Sequence, residues 1–166
     1  MRLFFALWPP AETADALAAW AHAAQRLTGG KPTDAAKIHL TLAFLGDADA
    51  QKAVLAAGRV TGTIHSLPIE QARHWRENNI VWAGPRETPL ALAALFKSLS
   101  LELYREEFIL ERRPLTAHVT LIRKARTARL PPLPAVEWPV REFLLVRSSL
   151  SSKGSTYEPL ERFALL

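Results

Sequence analysis

Two short motifs, each a histidine followed two positions later by a threonine, are the residues of this sequence best suited to chemistry. They are His39-Leu40-Thr41-Leu42 and His118-Val119-Thr120-Leu121. Alternate side chains of a β-strand point to the same face, so the histidine and threonine of each motif project together, about 7 Å apart. Each motif therefore predicts an imidazole and a hydroxyl on one side of a strand, with apolar side chains packed behind.

Two such pairs that face each other would suit the opening of a cyclic phosphodiester. One neutral imidazole takes a proton from the attacking water, and a protonated imidazole opposite gives a proton to the departing ribose oxygen. Histidine can do both because its unperturbed pKa is roughly 6.5. The threonine hydroxyls can donate to the phosphate oxygens that hold charge through the transition state.

The same order of elements leads to each motif. An apolar strand over residues 3–7 and a helix precede His39, and a strand over residues 79–83 and a helix precede His118. The two histidines are 79 positions apart, close to half of the 166 residues. This repetition predicts two pseudo-symmetric lobes, each presenting one motif to a shared cleft.

Hydrophobic periodicity and turn residues predict the remaining elements. Helices are expected over residues 10–28, 48–59 and 88–105. Strands are expected over residues 3–7, 38–45, 64–69, 72–75, 79–83, 116–123, 140–149 and 157–166, with a loop at 131–134 and a turn at 152–154. Strands that come in groups with one long helix each indicate an α+β fold rather than alternating βαβ units.

Composition narrows the class of protein. The 166 residues suit a single domain, 1–166, and the absence of cysteine excludes a disulfide scaffold, a cysteine-ligated metal and a cysteine nucleophile. A net charge of +5 favours a polyanionic partner. Candidate residues for a basic surface are Arg73, Arg76, Lys124, Arg126 and Arg129.

The remaining sequence features give three further expectations. The apolar start is cut short by Pro9-Pro10 and no later stretch could span a membrane, so we expect a soluble, cytoplasmic protein. His22, His65 and His74 lack a comparable context and are interpreted as surface or cleft-rim residues. No histidine or carboxylate spacing fits a metal site, so we expect neither a metal nor another cofactor.

The motifs resemble the paired signatures of a known family, the bacterial and archaeal RNA 2′,3′-cyclic phosphodiesterases. These enzymes were first named 2′-5′ RNA ligases and belong to the 2H phosphoesterase superfamily. The resemblance covers essentially the whole chain in the expected order. It is carried by Arg2–Leu7, Ile38–Gly46, Ile80–Gly84, Arg113-Pro114, His118–Arg123, Ser149-Leu150, Gly154 and Tyr157.

The resemblance implies a bilobal α+β duplication of two antiparallel sheets with flanking helices and a central cleft. It implies a substrate of RNA ending in a 2′,3′-cyclic phosphate, such as tRNA fragments, and a 2′-phosphomonoester as the product. We also expect the protein to be a monomer. His39 would be the proton donor and His118 the proton acceptor. Thr41, Thr120 and Arg123 would bind phosphate, although Arg123 is nominally on the opposite strand face from His118. Phe44 would either stack on the terminal base or fill the core.

One departure from the family pattern and several alternatives stay open. The family usually has proline directly before the second histidine, where this chain has Ala117. The same histidine pair could act on a small cyclic phosphate. A non-catalytic RNA-end binder is an alternative from another class, and 2′-5′ ligation is expected at most as a minor activity.

Overall fold

The computed structural model describes residues 1–111 and 114–166, so Arg113 lies outside the described residues. The described part contains three α-helices, α1 (Ala11–Thr28), α2 (Ala50–Ala57) and α3 (Leu90–Arg105). Its strands are β1 (Arg2–Leu7), β2 (Lys31–Pro32), β3 (Leu40–Asp47), β4 (His65–Ile69), β5 (Gln71–Trp75), β6 (Ile80–Gly84), β7 (Val119–Arg123), β8 (Val136–Val140), β9 (Glu142–Ser151) and β10 (Gly154–Ala164).

The first sheet has the strand order β10-β9-β1-β3, and all its pairings are antiparallel. Leu3, Phe5 and Leu7 point from β1 into the main core, whereas Phe4 and Ala6 point to the other face and form a smaller cluster. Helix α1 begins after Pro10, carries Glu12 in its first turn and ends at Gly29, which has a φ of 69°. These features confirm the predicted helix start and stop.

The second sheet has the order β2-β7-β6-β5, again with antiparallel pairing. Helix α3 leads from β6 towards β7 and buries Leu92, Leu95, Leu99 and Leu103, the spacing of one helical face. The predicted repetition of strand, helix and motif-bearing strand is thus confirmed as β1-α1-β3 and β6-α3-β7.

The two sheets exchange strands across the halves of the chain. Strand β2, from the first half, pairs with β7 of the second sheet, placing Lys31 opposite Arg123. The C-terminal hairpin β9-β10 pairs with β1 of the first sheet. The two lobes therefore share chain segments as well as a cleft.

Two glycines allow close approaches of the backbone to the second motif and its strand. At Gly30, whose φ is 82°, an added Cβ would lie 2.3 Å from the carbonyl oxygen of Arg123. At Gly84 it would lie 2.3 Å from the carbonyl oxygen of Ala117, the residue directly before His118. Both distances are far below van der Waals contact, so the backbone that carries the second motif is held where only glycine fits.

Several predicted elements and boundaries were wrong. A third, two-stranded sheet of β4 and β8 was not expected, and the strand predicted over 140–149 is interrupted: β8 ends at Val140 and β9 begins at Glu142. Pro139 argues against a strand at β8, although an outer strand tolerates proline. The other missed elements are β2 and a single 3₁₀ turn, Ala35–Lys37. The last strand also begins earlier than predicted, at Gly154.

No helix in the described ranges is long and apolar enough to cross a membrane.

Candidate active site

The first motif is positioned where the chain enters β3. Leu40 and Leu42 are buried in the core, and His39 and Thr41 point to the opposite face, which lines a cleft. His39 lies one residue before the strand, after the 3₁₀ turn. Its Nδ1 is 2.8 Å from the carbonyl oxygen of Lys37. A carbonyl can only accept, so Nδ1 carries the proton and Nε2 is left for chemistry.

The second motif repeats this arrangement at the start of β7. Val119 and Leu121 are buried, and His118 and Thr120 line the same cleft as the first motif. His118 also lies one residue before its strand, and its Nδ1 donates to the carbonyl oxygen of Thr116 at 2.8 Å. Both imidazoles are therefore fixed in one tautomer by a carbonyl two residues earlier in the chain.

Aromatic rings hold each imidazole in place, and the two environments differ. His39 stacks on Trp8 with ring centroids 4.7 Å apart and meets Tyr157 edge to face at 5.0 Å. His118 meets Trp75 edge to face at 4.8 Å, and Trp82 lies further away at 6.2 Å. The orientation of each imidazole is thus fixed by the aromatic rings packed against it.

The cleft has a volume of about 650 Å³ and brings together the predicted residues His39, Thr41, His118, Thr120 and Arg123. Other described lining residues are Lys31, Pro32, Thr33, Asp34, Lys37, Trp75, Asn78, Ile80, Leu150, Lys153, Gly154, Ser155 and Tyr157. Three lysines and one arginine against a single carboxylate make the cleft strongly cationic, which suits an anionic ligand.

Burial lowers the pKa of the His39 imidazole below its ordinary value of 6.5. The hydrogen bond to the Lys37 carbonyl opposes this change, and the positive charges of Arg123 and His118 lower the pKa further. Because these groups disfavour the imidazolium, His39 of the unliganded protein is held towards its neutral form.

Arg123 reaches the cleft because the pairing of β7 with β6 is irregular. A register shift between Thr120 and Ile122, which pair with Trp82 and Val81, interrupts the alternation that would place Arg123 opposite His118. Lys124 follows with a φ of 57°. Arg123 is exposed, and its charge is close enough to act on the pKa of His39. A guanidinium in this position can hold a phosphate through two parallel hydrogen bonds.

Phe44 is placed differently from the histidines and threonines. Its side chain is 53% exposed, so it is not a core aromatic, and it is not among the described residues that line the cleft. The guanidinium of Arg2 lies over its ring at 5.3 Å from the centroid. Stacking of a base on Phe44 stays a prediction.

The remaining histidines are only partly as expected. His22 is exposed, which confirms its surface position. The prediction is wrong for His74, whose ring nitrogens are both buried without a hydrogen-bond partner. Its register opposite Val81 turns its side chain to the core face of β5, away from Trp75. In His65 only Nε2 is buried without a partner, because Nδ1 donates to the Thr63 carbonyl at 2.8 Å.

Sequence reasoning missed most of the cationic lining. The five predicted basic residues are exposed, and none of the five lines the cleft. Lys31, Lys37 and Lys153 do so instead. Their positions in the sequence could have indicated this role. Lys31 and Lys37 shortly precede His39, and Lys153 precedes Gly154 and Tyr157, which belong to the family pattern.

Within residues 1–111 and 114–166, no three histidine, aspartate or glutamate side chains lie together as a metal-binding group.

The sequence is similar to those of known proteins over nearly its whole length. A model of the "LigT like Phosphoesterase" family matches residues 7–82. The RNA 2′,3′-cyclic phosphodiesterase of Escherichia coli (strain K12) is 36% identical to this chain, covering 99% of the chain and 96% of the relative. The RNA 2′,3′-cyclic phosphodiesterase of Thermus thermophilus is 35% identical, covering 99% of the chain and 90% of the relative.

A solved structure shows the same fold. The crystal structure of E. coli LigT in apo form superposes with a TM-score of 0.88 at 35% identity, covering 99% of this chain and 96% of that one. The two relatives and this structure each match over 99% of the chain. The chain therefore belongs to the LigT-like phosphoesterases, in the family of RNA 2′,3′-cyclic phosphodiesterases.

Proposed function

We propose that this protein hydrolyses the terminal 2′,3′-cyclic phosphate of RNA to a 2′-phosphomonoester by general acid–base catalysis with His39 and His118. One observation carries the proposal. Both imidazoles line a single cleft, and each has its Nδ1 bound to a backbone carbonyl, so that its Nε2 is the nitrogen left to exchange a proton.

In the proposed reaction, water attacks phosphorus while one imidazole accepts its proton. The bond between phosphorus and the ribose 3′ oxygen breaks, and the other imidazolium gives a proton to that oxygen. The phosphate stays on the 2′ oxygen. Following the family pattern, His118 accepts the proton and His39 donates it.

The donor role asks for a protonated His39, although burial and neighbouring cations favour its neutral form in the free protein. A bound phosphate anion resolves this conflict because its negative charge favours the imidazolium. We therefore infer that His39 gains its proton together with the substrate. Thr41, Thr120 and Arg123 would bind the phosphate oxygens in that complex.

RNA is the preferred substrate because the cleft carries more positive charges than a single phosphate would engage. Lys31, Lys37 and Lys153 line the cleft in addition to Arg123. A small cyclic phosphate would leave most of these charges without a partner, whereas an RNA chain supplies further phosphates. Fragments of tRNA, a monomeric state, a cytoplasmic location and a minor 2′-5′ ligase activity remain parts of the proposal.

The test is incubation of purified protein with a short RNA that ends in a 2′,3′-cyclic phosphate, with EDTA in excess. We expect a 2′-phosphomonoester, identified by mass and by the position of the phosphate. His39→Ala and His118→Ala should each slow the reaction by about 10²–10⁴-fold. His22→Ala, an exposed histidine on α1, is the matched control and should keep the wild-type rate.

The outcomes separate the alternatives. Wild-type rates in either cleft-histidine variant would exclude the two-histidine mechanism. No product with EDTA or with added divalent metal would favour a small cyclic phosphate substrate or an RNA-end binding role.

A further inference from the structure

A second cavity of about 640 Å³ lies beside the catalytic cleft. Its lining includes apolar side chains from three parts of the chain, among them Pro9, Pro139, Leu144 and Pro159. The site already described uses none of these four residues. Each cavity is large enough for one ligand of the size of a nucleoside.

Trp8 and Tyr157 form a wall between the two cavities. Tyr157 lines both cavities. Trp8 lines the second cavity and stacks on His39, which lines the catalytic cleft. Because His39 covers one face of the Trp8 indole, Trp8 contributes its other face or its edge to the second cavity. The Trp8 Nε1 donates to the carbonyl oxygen of Ala36 at 3.0 Å, which fixes the ring. A ligand in the second cavity would therefore be separated from a reacting group at His39 by one aromatic layer.

Charges at the second cavity favour an anionic ligand. Arg141, Arg162 and Glu142 line it, and Arg162 forms an ion pair with Glu142 at 2.5 Å. Among the described residues, Arg141 has no carboxylate within ion-pair distance. The lining thus combines flat apolar surfaces with one net positive charge. Single-stranded nucleic acids are bound by this combination, in which bases stack and cations meet the backbone.

We propose that the second cavity binds the base and ribose of the nucleotide that immediately precedes the reacting terminal nucleotide of the RNA. This inference rests on the proposed function, because it takes the catalytic cleft to hold the terminal nucleotide. The shared wall provides the continuity, since a chain that leaves the cleft past Trp8 and Tyr157 enters the second cavity. Arg141 would meet the phosphate that joins the two nucleotides.

Binding and turnover of one nucleotide against two test the proposal. For binding, the probes are a mononucleoside 3′-phosphate and a dinucleotide with a 3′-phosphate. For turnover, they are the corresponding 2′,3′-cyclic phosphates. We expect the dinucleotide to bind about tenfold more tightly and to have a correspondingly higher kcat/KM, because stacking of one added base commonly contributes that much.

Two variants should remove this advantage and leave the mononucleotide values unchanged. Pro159→Trp places an indole in the cavity from the outer strand β10, and Arg141→Glu reverses the charge. The matched controls are Thr156→Trp, which is exposed on the opposite face of β10, and Arg147→Glu, an exposed arginine that lines neither cavity. Both controls should keep the dinucleotide advantage.

The proposal is overturned if the wild-type protein binds one and two nucleotides equally. It is also overturned if the variants weaken both ligands by the same factor, since the cavity would then hold the terminal nucleotide itself. Failure of the proposed function has a different signature. Neither cyclic phosphate would be opened, while the binding comparison would still report on the second cavity.

Discussion

The imidazoles of His39 and His118 are held by the same kind of hydrogen bond to the backbone. Each Nδ1 donates to the carbonyl oxygen two residues earlier, at 2.8 Å in both motifs. This bond fixes the tautomer and aims Nε2, which is what a proton-transfer group needs before substrate arrives. The difference between the two histidines therefore lies in their surroundings, since different aromatic rings pack on each imidazole.

The surroundings of His39 predict its titration. In the free protein its pKa should lie below the ordinary value of 6.5, mainly through burial. Inorganic phosphate should raise this pKa, and Arg123→Ala should also raise it, because that variant removes a nearby positive charge. Measurement of the imidazole resonances by NMR from acidic to alkaline pH would check all three expectations. A His39 pKa at or above 6.5 in the free protein would contradict the first expectation, and a pKa unchanged by phosphate or by Arg123→Ala would contradict the other two.

The same pKa direction has a consequence for stability. Below pH about 6.5 the unfolded chain binds a proton at this histidine before the folded protein does. As pH falls from about 6.5 towards the folded pKa, His39 should therefore reduce the free energy of unfolding, and at higher pH it should leave that free energy independent of pH. In urea unfolding, His39→Gln should remove this part of the acid sensitivity.

At the scale of elements, the placement of His118 depends on contact between the end of β6 and the segment before β7. Gly84→Ala would bring a Cβ to 2.3 Å from the Ala117 carbonyl oxygen and push the second motif away from its position. We expect a loss of activity of about 10²-fold, the order expected for a displacement of about 1 Å at a catalytic group. Steady-state kinetics on the cyclic-phosphate RNA would measure it.

Gly58→Ala is the matched control for this prediction. Gly58 has an ordinary helical φ of −64°, and the nearest atom to an added Cβ is 3.5 Å away. This variant should keep its activity. If Gly84→Ala were as active as Gly58→Ala, the contact with Ala117 would not position His118.

Elements with their own periodicity could be predicted from the sequence, and elements defined by distant partners could not. The apolar spacing of α1 and α3 indicates both helices without knowledge of the fold. Strand β2 contains two residues, and it is a strand only because Lys31 and Pro32 pair with Arg123 and Ile122 on β7. No local sequence pattern indicates such a pairing.

The site residues also separate into those that a local sequence pattern predicts and those that it does not. The paired His-x-Thr motifs are contiguous in sequence and repeated, so they could be found directly. Trp8 directly follows β1, Tyr157 belongs to β10 and Lys153 to the turn before β10, and they come together at the site only when the C-terminal hairpin pairs with β1. Their roles could not be read from local pattern because tertiary pairing creates the site.

For the whole molecule, the exchange of strands links the stability of the two lobes. The second sheet needs β2 from the first half, and the first sheet needs the C-terminal hairpin. We therefore predict a single cooperative unfolding transition. Tryptophan fluorescence and far-UV circular dichroism in urea should give coincident curves. Two separate transitions would show that the lobes are independent domains.

The charge of the cleft predicts how salt affects activity. On a short RNA, the logarithm of kcat/KM should fall with the logarithm of salt concentration by roughly 0.7 for each phosphate contacted. A cyclic mononucleotide should show a shallower slope. Lys153→Ala should reduce the slope for RNA, whereas Lys97→Ala, an exposed lysine on α3, should not change it. Equal slopes for both substrates would exclude contacts with further phosphates.

The stacking of His39 on Trp8 also gives the protein an intrinsic optical reporter. A protonated imidazole in contact with an indole quenches its fluorescence, and these two ring centroids are 4.7 Å apart. The emission of Trp8, taken as the difference between wild type and Trp8→Phe, should therefore fall when His39 becomes charged. Stopped-flow fluorescence could then follow proton uptake by this histidine as substrate binds, without any added label.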